Sequence, residues 1–150
     1  SDVYKRQRQA ALAAFHERWQ DKPVILDAWF GLEASTPFGD GIARVEALMQ
    51  HPRFDPAAPN TLRAVLGGFA ASTPQFHAAD GSGYRFIAVQ IAELDQRNPI
   101  TASRMAKLFS RWQSLTPERS AQMRSALEQL ADAELSPNSR EVVDQCLGAA

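Results

Sequence analysis

The histidines are candidates for metal binding. A zinc site on a helix typically has two histidines one turn apart, with a glutamate directly after the first. The sequence contains three histidines, His16, His51 and His77, and none has a second histidine within a turn or two. Isolated histidines of this kind do not supply the clustered ligands that a zinc ion needs. We therefore expect no metal site and no cofactor in this chain.

The stretch from residue 76 to residue 84 interrupts the helical pattern and contains Gly81-Ser82-Gly83. Its spacing differs from that of the G-x-S-x-G nucleophile elbow, and it matches no phosphate-binding glycine motif. We interpret Ser82 as a turn or cap residue, with Asp80 as the other candidate cap of the following helix. His77 and Asp80 are close enough in sequence to form a local pair, which we expect to be structural. The two glycines permit a positive φ or a close backbone approach.

The single cysteine, Cys146, cannot form an internal disulfide bond. Its neighbours Val142, Val143 and Leu147 predict a buried structural thiol rather than a nucleophile. Residue types and spacing thus identify no catalytic residue.

Apolar residues recur at positions i, i+3, i+4 and i+7 through most of the chain, which is typical of helices with one buried face. Prolines separate the periodic segments, as expected where each helix begins anew. No segment alternates with period two long enough to predict a sheet. The pattern predicts an all-α fold of about eight helices, stacked as antiparallel pairs in a HEAT- or armadillo-like superhelical array.

Two local patterns refine this prediction. The segment from Val24 to Leu32 is apolar almost all round the helix, so we expect it to be the most buried helix. Asn98-Pro99, Thr116-Pro117 and Ser136-Pro137 each combine an N-cap residue with a proline suited to the first helical turn.

A length of 150 residues predicts one domain with a substantial core. Residues 1–8 carry little apolar periodicity, so we expect a frayed or non-native segment there, followed by a single helical domain over residues 9–150. The formal net charge of −1 gives no indication of nucleic-acid binding. The apolar stretches are too short to span a bilayer and the N-terminus lacks the apolar core of a signal peptide, so we expect no membrane partner and a cytoplasmic location.

Several strings resemble the C-terminal helical domain of bacterial aminopeptidases of the M1 family of zinc metallopeptidases. The most specific is Phe-His-Ala-Ala-Asp-Gly-Ser-Gly-Tyr at residues 76–84. Order and approximate spacing agree from about residue 9 to residue 147. The other matching strings lie at residues 22–30, 34–37, 45–54, 59–63 and 98–104.

This resemblance implies a domain of a multidomain peptidase that removes N-terminal residues from peptides. In that family a His-Glu-x-x-His helix and a downstream glutamate hold zinc, and a Gly-x-Met-Glu-Asn loop engages the substrate amine. Neither string occurs here. The resemblance therefore implies that this chain alone is inactive, that its partner is the parent's zinc-containing catalytic domain, and that it walls the chamber that peptide substrates enter.

Arg63 and Arg104 match family positions that project toward the substrate chamber, where a guanidinium would attract the carboxylate or carbonyl groups of a peptide. The resemblance implies that both lie on one concave face; the alternative is that each is an ordinary surface arginine. The sequence departs from the family pattern at two nearby positions. Ile100 replaces a glutamine and Thr61 replaces an arginine.

Two other functions remain open. A free-standing helical-repeat module that binds a protein or peptide would have polar outer caps and no unpartnered interface. A domain docked in a larger peptidase would instead expose an apolar patch. A small enzyme with its own site would need convergent titratable groups in a pocket, and the sequence does not support it.

Overall fold

The computed structural model describes residues 1–148, and within them the fold is all-α, as the periodicity predicts. Nine α helices are present in the described residues, eight of them at least eight residues long, and they pack in pairs. The last two residues of the predicted 9–150 domain lie outside the described residues. Contacts divide the chain into two compact units, residues 1–72 and residues from Thr73 onward.

The 1–72 unit is built around the contact between its second and fourth helices, the most extensive in this unit. The second helix also packs against the first and the third. Side chains such as Phe30, Val45, Val65 and Phe69 are completely buried there. The helices are α1 (Asp2–Trp19), α2 (Pro23–Ala34), α3 (Gly41–Met49) and α4 (Pro59–Ala71).

The second unit contains five α helices and two short 3₁₀ helices, Lys107–Phe109 and Trp112–Ser114. Most consecutive helices pack here, as the short links predict, namely the fifth with the sixth, the sixth with the seventh and the eighth with the ninth, and so do alternate ones. The sixth helix packs against both the seventh and the eighth, and the ninth packs against the seventh and the eighth. The α helices are α5 (Thr73–Phe76), α6 (Ser82–Asp95), α7 (Pro99–Ala106), α8 (Pro117–Ala131) and α9 (Pro137–Gly148).

Residues 2–8 are helical in the structure, and Ser1 is the N-cap residue of α1. Ser1 caps α1 by accepting a hydrogen bond from the Tyr4 N–H at 3.2 Å, and Arg8 donates to the Leu32 carbonyl at 2.7 Å. That these residues fray, or are foreign to the domain, stays a prediction, as does the single-domain boundary.

The prediction that α2 is the most buried helix is wrong. Its buried residues are Leu26, Phe30 and Ala34, whereas Val24 is 83% and Leu32 43% exposed. The remaining side of α2 is uncovered because α1, α3 and α4 all pack elsewhere on it. The most buried long helix is α6, which has the longest set of buried residues.

Two of the three predicted proline caps are confirmed. Asn98 accepts from the Thr101 N–H at 3.2 Å, and Ser136 accepts from the Ser139 N–H at 3.2 Å. Thr116 lies at the N-cap of α8, but its side chain makes no capping hydrogen bond.

Gly67 and Gly68 are adjacent in α4, and we expect alanine at these two positions to change the free energy of unfolding in opposite directions. A Cβ at Gly68 would lie 2.8 Å from the Gly31 carbonyl oxygen and 3.1 Å from the Ala34 Cβ, whereas one at Gly67 would meet nothing within 4 Å. We expect Gly68→Ala to lower the free energy of unfolding by about 1–3 kcal/mol, because α2 and α4 would be forced apart. Gly67→Ala should raise it by up to about 1 kcal/mol through helix propensity. Urea unfolding of both variants tests this, and equal effects would contradict the assigned contact.

Candidate functional site

Arg63 lies on the exposed side of α4, opposite the side chains that face the core. Its guanidinium donates a hydrogen bond to the Asn60 amide oxygen one turn earlier. Thr61, which stands where the family has an arginine, is buried and donates its hydroxyl proton to the Asp27 carboxylate at 2.5 Å. This position therefore ties α4 to α2 and leaves Arg63 as the exposed cation of this turn.

Arg104 lies in the last turn of α7, and its side chain is exposed. Within the part of the chain that the structure describes, it makes no hydrogen bond or ion pair. Ile100, one turn earlier on the same side of the helix, is 57% exposed. α7 thus presents an apolar side chain beside a free cation. Because Arg63 and Arg104 belong to different units, their presence on one concave face stays a prediction.

Two histidines that are far apart in sequence meet in the first unit. His16 on α1 and His51 after α3 form a hydrogen bond between their Nε2 atoms at 2.8 Å. The His51 Nδ1 accepts the Arg53 backbone N–H at 2.9 Å, which places the His51 proton on Nε2 and makes His16 the acceptor. The rings of Trp29 and Phe30 pack against this pair. The sequence contains no second histidine within a turn or two of either residue, and the fold brings these two together although they are 35 residues apart.

Burial, the adjacent His16 and the Arg53 charge all lower the pKa of His51. Burial, followed by the Arg119 charge, lowers the pKa of His77 in the second unit. Both imidazoles are therefore harder to protonate in the folded chain than in the unfolded chain, where they titrate near their ordinary pKa of about 6.5. Protonation of His51 at Nδ1 would also set this N–H group against the Arg53 backbone N–H that Nδ1 accepts.

The sign of the resulting pH dependence follows from these lowered pKa values. The unfolded chain binds more protons below about pH 6.5, so stability is fully present above that pH and is lost as the pH falls. We expect the melting temperature to fall between about pH 7.5 and pH 5.5, and to fall less in His51→Gln and in His77→Gln. Thermal scans across this range provide the measurement. A double variant with the same pH dependence as the parent chain would contradict the assignment.

The turn at residues 76–84 is organised around His77 and the fully buried Tyr84. The His77 Nδ1 and the Tyr84 hydroxyl form a short hydrogen bond. The predicted pair of His77 with Asp80 is wrong, because the Asp80 Oδ1 instead accepts the Ser82 N–H at 2.9 Å. The hydrogen bond of the Ser82 side chain, followed by that of the Ser82 backbone N–H, lowers the pKa of Asp80. Asp80 thus stabilises the start of α6, whose N-cap is Gly81 rather than Ser82.

Side chains on α8, among them Arg119, form hydrogen bonds with backbone carbonyl oxygens of this turn. The Arg119 Nε donates to the His77 carbonyl oxygen at 3.0 Å, and the Gln122 amide donates to the Ala79 carbonyl oxygen at 2.7 Å. Beside these contacts lies a surface cleft of about 610 Å³. Its lining comes from three separate segments, residues 73–79, 114–116 and 119. No local motif reveals such a site in the sequence.

A second concave surface lies in the first unit, between the start of α2 and the start of α4. It has a volume of about 400 Å³ and is bordered by Pro23, Val24, Pro59 and Asn60. Val24 begins a stripe that continues through Ala28 to Leu32, at intervals of one helical turn, and all three residues are exposed. We call Val24, Ala28 and Leu32 the α2 stripe.

Cys146 is buried on α9, which confirms the predicted structural thiol. Burial raises the pKa of its thiol, and its carbonyl oxygen accepts the Trp112 indole N–H at 2.9 Å. A thiol with a raised pKa is a poor nucleophile.

Among the described residues, no group of three or more histidine, cysteine, aspartate or glutamate side chains is arranged to hold a metal ion. No helix in residues 1–148 has the length and apolar character to cross a membrane.

Comparison with known proteins gives one consistent family. A family model described as a domain of unknown function (DUF3458_C) with ARM repeats matches residues 1–148. Aminopeptidase N of Caulobacter vibrioides is 41% identical over 143 residues, which cover 94% of this chain and 17% of that protein. Aminopeptidase N of Escherichia coli is 37% identical over 142 residues, which cover 93% of this chain and 16% of that protein.

The crystal structure of Legionella pneumophila aminopeptidase A in complex with aspartic acid matches this fold with a TM-score of 0.90 and 30% sequence identity. The match covers 99% of this chain and 17% of that one. The chain therefore spans about a sixth of the length of the relatives that it matches.

Proposed function

The chain belongs to the family of DUF3458_C ARM-repeat domains and is homologous to the C-terminal region of bacterial aminopeptidase N, and from this premise we propose that it caps the catalytic chamber of a zinc-dependent aminopeptidase. It shapes the access of peptide substrates and supplies no catalytic residue. Zinc and the residues that break the peptide bond belong to the parent's catalytic domain. The observation that carries the proposal is the 41% identity to an aminopeptidase N over 94% of this chain.

The α2 stripe supports a docked domain rather than a free-standing module. Val24 is 83% exposed, and the buried side of the same helix is completed by Leu26, Phe30 and Ala34. A stripe of exposed apolar side chains on an otherwise packed helix is typical of an interface. Apolar burial contributes about 25 cal/mol for each Å² removed from water, so a partner that covers this stripe would gain affinity from it. We assign the catalytic domain of the parent peptidase as that partner.

Arg63 and Arg104 supply the cations that we place at the chamber wall. Both are exposed, and neither is neutralised by a carboxylate among the described residues. A guanidinium offers planar, two-pronged hydrogen bonding to a peptide carboxylate. Their contribution would be to the binding and orientation of peptides, with no part in bond breaking.

The test is reconstitution. The purified chain is assayed for hydrolysis of alanyl-p-nitroanilide with zinc, alone and mixed with Caulobacter aminopeptidase N that lacks its homologous region. We expect no turnover by the chain alone and restored or altered turnover on mixing. Chelator-sensitive turnover by the chain alone would overturn the proposal. No change in turnover on mixing would favour a free-standing module that binds a protein or peptide.

Docking is tested separately with charge substitutions on exposed apolar residues. Val24→Asp and Leu32→Asp should abolish the effect of mixing while leaving the circular dichroism spectrum unchanged. Val89→Asp is the matched control, because Val89 is 42% exposed and lies on α6. If all three variants reconstitute equally, the α2 stripe is not the interface.

If Arg63 and Arg104 help to bind peptide substrates, replacing them should weaken substrate binding. In the reconstituted enzyme, Arg63→Ala and Arg104→Ala should each raise KM for a tripeptide by about three- to tenfold while changing kcat less than about twofold, as expected for lost ground-state binding. Steady-state kinetics provide the measurement. Arg97→Ala is the control: Arg97 is exposed and lies just after α6, so this variant should behave as the parent chain does. An unchanged KM in both variants would make the two arginines ordinary surface residues.

A further inference from the structure

The cleft beside the 76–84 turn is rich in hydrogen-bond donors. Arg119 and His77 are its titratable residues, and no carboxylate is among the residues that line it. Arg119 uses only its Nε in a hydrogen bond, to the His77 carbonyl oxygen, so its two terminal nitrogens have no partner among the described residues. The guanidinium is thus held in place at the cleft with its donors unused.

His77 provides a second donor. The Tyr84 hydroxyl is fully buried, and its partner is the His77 Nδ1. If Tyr84 donates its proton to Nδ1, both groups are satisfied and the proton of the neutral imidazole lies on Nε2. His77 then presents an N–H group on a ring that lines the cleft.

Acceptors at the cleft are largely occupied. The carbonyl oxygens of Thr73, Ala78 and Thr116 accept backbone N–H groups, and those of His77 and Ala79 accept the side chains of Arg119 and Gln122. A surface with free donors and engaged acceptors favours an anion over a neutral or cationic ligand. The rest of the lining consists of the hydroxyl residues Thr73, Ser114 and Thr116 and of an apolar wall formed by Pro74, Ala78, Ala79 and Leu115.

We propose that this cleft binds a small organic carboxylate, whose carboxylate group contacts the Arg119 guanidinium and the His77 Nε2–H while its apolar part packs against Pro74 and Leu115. The volume of about 610 Å³ suits a molecule of the size of an acylated amino acid or a short peptide C-terminus. This site goes beyond the proposed chamber function, because it uses neither Arg63 nor Arg104. Because the cleft is open and has one fixed cation, we expect a dissociation constant in the millimolar range.

The experiment is an NMR titration of the ¹⁵N-labelled chain with N-acetyl-L-leucine, N-acetyl-L-leucinamide and inorganic phosphate. We expect saturable shifts of residues 73–79 and 114–119 with N-acetyl-L-leucine, and at least about tenfold weaker binding of the uncharged amide. Phosphate should bind more weakly than the organic acid, since it cannot use the apolar wall. Equal binding of the acid and its amide, or binding of phosphate as tight as that of the acid, would overturn the proposal.

Two variants locate the site. Arg119→Gln should weaken binding of N-acetyl-L-leucine at least about tenfold, whereas Arg97→Gln, which removes the same charge elsewhere in the unit, should not. Because Arg119 also contacts the 76–84 turn, Ala79→Glu provides a second test at an exposed position that leaves that contact intact. It places a like charge at the cleft and should abolish binding, while Ala79→Gln retains it. Undiminished binding by Ala79→Glu would contradict the assignment.

Discussion

Gly83→Ala is expected to destabilise the second unit by about 3 kcal/mol or more, the upper range for forcing extra atoms into a packed site. A Cβ at Gly83 would overlap the Phe76 carbonyl oxygen and lie 2.5 Å from the Gln75 carbonyl oxygen. Both are backbone atoms, so no side-chain rotation relieves the contact. The start of α6 would have to move away from α5, and Tyr84 would leave its buried position beside His77. Urea unfolding followed by circular dichroism provides the measurement.

Gly148→Ala is the matched control for this prediction. A Cβ there would meet nothing within 4 Å, so its free energy of unfolding should lie within about 0.5 kcal/mol of that of the parent chain. If Gly83→Ala were as stable as Gly148→Ala, the close approach of α5 to α6 would be wrong. A second consequence is that Gly83→Ala should lose the carboxylate binding proposed for the cleft, because His77 belongs to the same turn.

The two glycines of this turn show what sequence reasoning can predict. Their spacing indicated a positive φ or a close backbone approach, and the structure contains one of each. Gly81 has a φ of +75°, and Gly83 lies against the carbonyl groups of α5. Glycine is informative because each conformational requirement excludes nearly every other residue type. The sequence did not show which glycine meets which requirement, because that depends on where α5 lies.

The helices could be predicted because helical periodicity is a local property of the sequence. The prediction that α2 is the most buried helix failed because burial depends on which other elements pack against a helix. A helix that is apolar all round is equally consistent with burial inside the domain and with one apolar face left exposed, and on α2 Val24 and Leu32 are exposed. Composition alone does not distinguish the two.

The candidate site residues also differ in whether the sequence could indicate them. The resemblance pointed to Arg63 and Arg104, whereas no physical pattern singles them out from the other arginines. The His16–His51 bond and the cleft at Arg119 were missed because their members lie far apart in sequence. Only tertiary structure brings such residues together. The residues that follow His51, Pro-Arg-Phe, do not indicate that His51 pairs with His16.

Asp95→Ala is the second prediction with a large effect, about 3 kcal/mol of lost stability. Asp95 is 3% exposed at the end of α6. Its carboxylate accepts the Ser136 N–H at 2.6 Å, the Ser136 hydroxyl at 2.7 Å and the Ser139 hydroxyl at 2.6 Å. The same Ser136 caps α9, so one carboxylate fixes where α9 begins. Alanine would leave buried donors without an acceptor, which is the costly way to lose a hydrogen bond.

The double variant separates this explanation from a general effect of removing a side chain. Ser139 is fully buried, so in Asp95→Ala its hydroxyl has lost its acceptor. Adding Ser139→Ala removes that hydroxyl, and the double variant should be about 1 kcal/mol more stable than the sum of the two single losses predicts. Asp144→Ala, an exposed aspartate on α9 with a weak ion pair at 3.9 Å, is the control and should change stability by less than about 0.5 kcal/mol. Strictly additive losses would mean that the hydrogen bonds of Asp95 are not what fixes α9 against α6.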